Sequence, residues 1–211
     1  MKTGIIFDMD GTLWNSAPQV AESWNEALRK EGYTKRAPIT EEDMYRVMGK
    51  TMDVLAGMIF PDEDEQVRKR LLQVCSKYEI AFLREHGGIL YPDLENTLTK
   101  LREDYDLFIV SNCQSGYIEA FLEYYGFGYL FKDIECYGNN NKQKGENIAL
   151  VVERNHLDRA VYVGDIQGDY DASRAAGVDF IHAAYGFGTI REEVPKIDRF
   201  SDLPEVMKEI Y

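Results

Sequence analysis

The sequence predicts an α/β fold: a parallel sheet core carrying an inserted all-helical block. Three observations predict it. Short apolar runs alternate with segments of helical periodicity, a pattern that gives parallel strands with helices on both faces of the sheet. The runs end in polar residues, Asp8 and Asp10, Ser111 and Asn112, and Asp165; ligands bind such sheets at the carboxyl ends of the strands. Residues 17 to 84 carry no strand signal, so a helical block follows the first strand and folds beside that crevice.

Gly4 to Phe7 is a short apolar run ending at Asp8, a buried strand by pattern. From Ala17, the residues Val20, Trp24, Ala27 and Leu28 recur at helical spacing, as do Val67, Leu71, Val74, Tyr78 and Phe82 further on. Ile39 to Phe60 is mixed and predicts short helices. Thr40-Glu41-Glu42-Asp43 reads as a helix start, a hydroxyl cap followed by acids. The chain breaks at His86-Gly87-Gly88. Pro92 is expected to open a helix whose face holds Leu94, Leu98 and Leu101. Leu107 to Val110 is a second strand, and Ile118, Phe121, Leu122 and Tyr125 form the next helical face. Ile134 to Tyr137 is a third strand, followed by a loop at Gly138 to Asn141. Ile148 to Val152 marks a helix and Ala160 to Val163 a fourth strand. A helix through Ala172 to Ala176 stops at Gly177, and Phe180 to Ala183 is a fifth strand. Arg191-Glu192-Glu193 reads as one more helix start. The aromatic run Tyr124, Tyr125, Phe127, Tyr129 and Phe131 reads as core packing.

The 211 residues, 45% of them hydrophobic, suffice for a substantial core and argue against disorder. A formal net charge of −13 argues against a nucleic-acid partner, whose affinity rests on basic residues. Cys75, Cys113 and Cys136 are widely spaced and form neither a disulfide framework nor a zinc motif. No apolar stretch reaches the length of a membrane span. The expectation is a soluble, cytoplasmic protein with reduced thiols and no membrane partner.

Four acids, Asp8, Asp10, Asp165 and Asp169, are expected at one site. Gathered carboxylates repel one another and call for a cation; magnesium takes oxygen ligands and is commonly shared with a substrate phosphate. Lys142 or Lys144 supplies further positive charge, Ser111 and Asn112 supply short donors, and the N–H groups of Met9 to Thr12 suit an anion-binding concavity. A carboxylate attacking a phosphate ester needs that charge relief, and a second acid to protonate the leaving group.

These residues resemble four motifs of the haloacid dehalogenase-like (HAD-like) hydrolase superfamily. Asp8-Met9-Asp10-Gly11-Thr12-Leu13 looks like the first, Val110-Ser111-Asn112 the second, Lys144 before a helix the third, and Gly164-Asp165 through Asp169 the fourth. The resemblance implies a Rossmann-like core over residues 1–14 and 85–211 with a helical cap at 15–84, as in the phosphoglycolate phosphatase and β-phosphoglucomutase branch. It implies Asp8 as nucleophile and magnesium ligand, and Asp10 as general acid/base that binds magnesium through its backbone carbonyl. It further implies Ser111, Asn112 and Lys144 as phosphate-binding residues, Asp165 as a direct metal ligand, and Asp169 as the residue orienting the lysine or a metal-bound water. The expected activity is hydrolysis of a small phosphorylated metabolite through an aspartyl-phosphate. Phosphoryl transfer to a sugar is the alternative, and a receiver-like domain storing phosphate on Asp8 is a weaker one.

Overall fold

The computed structural model describes residues 1–211. β1 (Thr3–Phe7) is followed by the two-residue β2 (Trp14–Asn15) and then by four helices, α1 (Ala17–Lys30), α2 (Glu41–Tyr45), α3 (Met52–Ile59) and α4 (Glu65–His86). Local chemistry sets their ends. Pro18 lies in the first turn of α1, and Arg29 and Lys30 face its carboxyl end. Thr40 and Asp43 form a capping box on α2. Asp64 accepts a hydrogen bond from Val67 N at the start of α4, and Gly87, at φ +66°, ends it.

β3 (Ile89–Leu90) pairs antiparallel with β2, so the two chain segments that enter and leave the helical block are tied together. α5 (Leu94–Asp104), β4 (Asp106–Ser111), α6 (Tyr117–Tyr125), β5 (Asp133–Cys136), α7 (Tyr137–Asn140), α8 (Lys144–Arg154), β6 (Arg159–Gly164), α9 (Gln167–Ala176), β7 (Asp179–Ala183), β8 (Lys196–Ile197) and α10 (Leu203–Ile210) follow. The main sheet has the order β5-β4-β1-β6-β7-β8 and is parallel throughout. β1 is central, flanked by β4 and β6, which brings the ends of three strands distant in sequence side by side.

Alternation along the strands divides the core. Ile5, Phe7, Leu107, Ile109, Val161 and Val163 face one side of the sheet; Ile6, Phe108, Val110 and Tyr162 face the other. The first side belongs to a cluster of 42 buried residues that continues without a gap through Trp14 into Trp24, Leu71 and Leu83 of the helical block. Sheet and block therefore share apolar contact.

Several local expectations differ from what forms. Residues 191–195 are not helical: Pro195 disfavours helix in the residue before it, and Arg191 N and Glu192 are hydrogen-bonded to Gln167. Pro92 precedes α5 and does not occupy its first turn; the helix begins at Leu94, after Asp93 at φ +60°. Tyr137 to Asn140, expected as the end of a strand and a loop, form a single helical turn closed by Asn141 at φ +58°. Tyr125, Phe127 and Phe131 pack inward, whereas Tyr124 and Tyr129 are 42% and 54% exposed.

Phe121 of α6 is fully buried and meets the Trp14 ring edge-on at 5.1 Å, binding the β2 linker to the core. Phe121→Ala is expected to destabilise the protein by about 3–5 kcal/mol through the lost area and the cavity left behind, measured as a shift in the urea unfolding midpoint at unchanged slope.

Candidate active site

Asp8 is the first residue beyond β1, and its backbone N–H still bonds across to Val163 O at 2.9 Å. Asp165 holds the same place beyond β6, and Ser111 ends β4. Lys144 is the first residue of α8 and Asp169 lies in the first turn of α9. All five are buried. Carboxylate oxygens of Asp8, Asp165 and Asp169 fall within 4.8 Å of one another. Lys144 Nζ donates to Asp8 Oδ1 at 2.9 Å and to Asp169 Oδ1 at 2.6 Å.

The second Asp169 oxygen accepts from the N–H groups of Asp165 and Ile166 at 3.0 and 3.1 Å. Both Asp169 oxygens are thus engaged, one fixing the lysine and the other fixing the turn that carries Asp165. Asp165 Oδ2 accepts from Phe187 N at 2.6 Å. Gly11, at φ +84°, lies so close to Asp165 that a Cβ there would overlap its carboxylate.

Asp10 goes elsewhere. Its Oδ1 accepts hydrogen bonds from Ser16 Oγ at 2.6 Å and Tyr117 Oη at 2.7 Å. The turn at Gly11 separates two acids that an extended strand would point to the same side. The N–H groups of Gly11 and Thr12 turn inward to Trp14 O and Met9 O, so those two donors are not available to an anion.

Asn112 Nδ2 donates to Gly49 O in the helical block at 2.9 Å. Lys142 is exposed, while Lys144 is 4% exposed. Trp14 is buried in an aromatic group with Tyr117, Phe121 and Tyr125. His182 packs beneath the site, with Nε2 3.2 Å from Asp165 O, and burial lowers its pKa.

The electrostatics follow from burial and crowding. Burial, then Asp169, pushes the Asp8 carboxyl up to about 7 against the opposing pull of Lys144. Burial, then Asp169 and Asp8, holds Asp165 well above the ordinary range. Burial raises Asp10, offset by the hydrogen bonds from Ser16 and Tyr117. Burial alone draws Lys144 down, but Asp169 and Asp8 outweigh it and hold the ammonium charged. Three carboxylates against one ammonium leave an excess of negative charge in a buried all-oxygen donor set, which suits a hard divalent cation such as magnesium.

Some residues at the site carry little sequence signal. Tyr117 reads as one more apolar position of α6, and Phe187 contributes a backbone donor that no side-chain pattern reveals. Glu79 did leave a trace, since it falls in the row Leu71, Cys75, Glu79, Leu83 at four-residue spacing.

The model of the haloacid dehalogenase-like hydrolase family matches residues 5–183. A phosphoglycolate phosphatase of Aliivibrio fischeri is 29% identical over 195 residues, spanning 87% of this chain and 84% of that protein. The crystal structure of a haloacid dehalogenase-like hydrolase from Bacteroides fragilis superposes with a TM-score of 0.81 at 25% identity, covering 96% of this chain and all of that one. That of a predicted phosphoglycolate phosphatase from Haemophilus somnus gives 0.82 at 23% identity, with 98% of each chain covered. The chain belongs to the haloacid dehalogenase-like hydrolase family.

Lys144→Met leaves Asp8 and Asp169 buried without their cation. In metal-free protein a loss of about 3–5 kcal/mol is expected at pH 8. Asp8, raised to about 7 in the folded state, holds a proton that the unfolded chain releases near pH 4. Stability therefore falls as pH rises toward 7, and the variant's deficit is smaller at pH 5 than at pH 8. Urea unfolding in chelator at the two pH values checks this.

Proposed function

We propose that this member of the haloacid dehalogenase-like hydrolase family is a magnesium-dependent phosphatase that cleaves small phosphomonoesters through an aspartyl-phosphate on Asp8. The observation that carries the reading is the division of the two neighbouring acids. The Asp8 carboxylate faces Lys144, Asp169 and Asp165, whereas the Asp10 carboxylate is held apart by Ser16 and Tyr117. One suits attack on phosphorus; the other suits proton transfer.

An Asp8 oxygen attacks the phosphorus of the ester and the bond from phosphorus to the leaving oxygen breaks. Asp10 gives its proton to that oxygen, and its raised pKa keeps the proton in place until it is needed. Asp10, now ionised, accepts a proton from a water that attacks the phosphorus of the aspartyl-phosphate. Inorganic phosphate leaves, and Asp8 and the protonated Asp10 are restored. Lys144 and Ser111 hold phosphoryl oxygens, with the amide N–H of Asn112 not used by Gly49 as a further donor. Asp8, Asp165 and the Asp10 backbone carbonyl would hold magnesium, which neutralises phosphate charge and lowers the repulsion met by an attacking carboxylate. Asp169 keeps Lys144 and the Asp165 turn in position.

Residues 15–84 act as a cap on the crevice, and residues 1–14 with 85–211 as the catalytic core. The antiparallel pairing of β2 with β3 supports this division, because it gathers both connections into one narrow hinge. The three unpaired cysteines fit work in a reducing cytoplasm.

Asp8→Asn is expected to lower magnesium-dependent phosphate release by at least ~10³-fold, and Asp10→Asn by ~10²–10⁴-fold, with both proteins folded by circular dichroism. Full activity in the Asp8 variant overturns the nucleophile assignment. Magnesium is expected to raise the wild-type unfolding midpoint more at pH 8 than at pH 5, because at pH 5 protons compete for the same carboxylates.

A further inference from the structure

The phosphatase chemistry uses Asp8, Asp10, Lys144 and Asp165 but leaves Glu79 unexplained. Glu79 is 4% exposed on the inward row of α4. Its Oε2 accepts a hydrogen bond from Trp24 Nε1 at 2.7 Å. Gln114, in the turn after β4, lies beside it, and the buried Nε2 of that amide has no partner. Burial raises the Glu79 carboxyl to about 7, against the hydrogen bond from Trp24. A carboxyl placed on an apolar helix row is costly to bury. Leucine would fill the row as well, so packing does not account for an acid there.

Glu79 and Gln114 line the same cavity as Asp10, Ser111 and Asn112. Asp10 is the proton donor to the leaving oxygen, so the alcohol portion of a bound ester extends from Asp10 into this cavity, away from the three clustered carboxylates. The remaining wall is largely apolar, with Val20, Met44 and Leu55. Its single cationic side chain is Lys50, and that residue is exposed. With the helical block closed the cavity holds about 30 Å³, room for roughly two waters. An alcohol of several heavy atoms exceeds that volume, so the block must stand farther from the core when such an ester is bound.

We propose that Glu79 and Gln114 select the leaving group of the reaction: a neutral, hydroxyl-bearing alcohol whose hydroxyl donates to Glu79 and accepts from Gln114 Nε2. Esters whose alcohol carries a carboxylate are disfavoured. Such a carboxylate would meet Glu79 with no buried cation to balance it, and a buried carboxylate without a charge partner is strongly penalised. A site built around hydrogen-bonding groups rejects a ligand that cannot complete them. This selection rests on the phosphatase reading above.

The test measures kcat and KM of the full-length protein with magnesium on p-nitrophenyl phosphate, glycerol 3-phosphate and 2-phosphoglycolate. Wild type is expected to favour glycerol 3-phosphate over 2-phosphoglycolate by at least ~tenfold in kcat/KM. Glu79→Gln keeps the shape but removes the charge, and narrows that ratio ~tenfold, chiefly through a lower KM for 2-phosphoglycolate. Gln114→Leu raises KM for glycerol 3-phosphate more than for 2-phosphoglycolate, and serves the same purpose should the Glu79 variant fail to fold. A wild-type preference for 2-phosphoglycolate overturns the assignment, as does a ratio unmoved in the folded variants. Turnover of p-nitrophenyl phosphate with the wrong ratio removes the leaving-group assignment alone. Absence of magnesium-dependent turnover on all three esters removes the phosphatase reading and this assignment with it.

Discussion

The site depends on one buried interaction, the ammonium of Lys144 held between Asp8 and Asp169. Taking three charged groups out of water costs several kcal/mol for each ion, which mutual attraction and further hydrogen bonds must offset. Asp169 meets that requirement with two backbone N–H donors, and its own role is thereby fixed: it cannot leave the lysine without stranding both. The lysine and the turn carrying Asp165 are consequently positioned by one carboxylate. β1 and β6 hold Asp8 and Asp165 in register, and the starts of α8 and α9 bring Lys144 and Asp169 to the same strand ends. Burial, with the crowding of the carboxylates, raises Asp8 and Asp165 together, because one lysine does not balance the negative charge the site would otherwise hold. That imbalance is the physical reason for a divalent cation in the proposed chemistry.

Much of this was legible in the sequence because the catalytic layer follows rules of short range. Gly4 to Phe7, Leu107 to Val110 and Ala160 to Val163 are apolar runs that can only be strands buried on both faces, and each ends at the residue the crevice needs. The placement of Lys144 over Lys142 followed from the helix start. What the sequence concealed was long in range. The carboxylate of Asp10 could not be separated from that of Asp8 without seeing Ser16 and Tyr117 converge on it, the second from 107 residues away. Phe187 acts through its backbone, and β2, β3 and β8 are two-residue strands whose pairing is decided by the tertiary fold. The helix expected at Arg191 fails to form for a local reason: Pro195, a few residues on, disfavours helix in the residue before it.

The helical block is bound to the sheet by two kinds of contact. The apolar contact runs through Trp14, whose ring lies against Tyr117, Phe121 and Tyr125 beside the β2 linker. It anchors the connection. One polar contact at the crevice is Asn112 to Gly49, a hydrogen bond between the strand end and the segment after α2; the Tyr45 ring also meets Phe187 across the crevice at 5.1 Å. One such hydrogen bond contributes about 1 kcal/mol net.

Chemistry and selectivity consequently reside in different layers of the molecule. The groups proposed to act on phosphorus lie at the ends of β1, β4 and β6 and the starts of α8 and α9, where the backbone ladder fixes them. The groups that face the alcohol come from both sides of the closure, Glu79 and Trp24 from the block and Gln114 from the turn after β4. A group contributed by the block meets the substrate only when the block is closed. An alcohol that satisfies Glu79 would stabilise the closed state, whereas one that repels it would favour the open one. Selection of the leaving group would then act through the closure equilibrium as well as through contact. A poorly matched ester would retain access to Asp8 and Lys144 yet spend less time with Asp10 shielded from water.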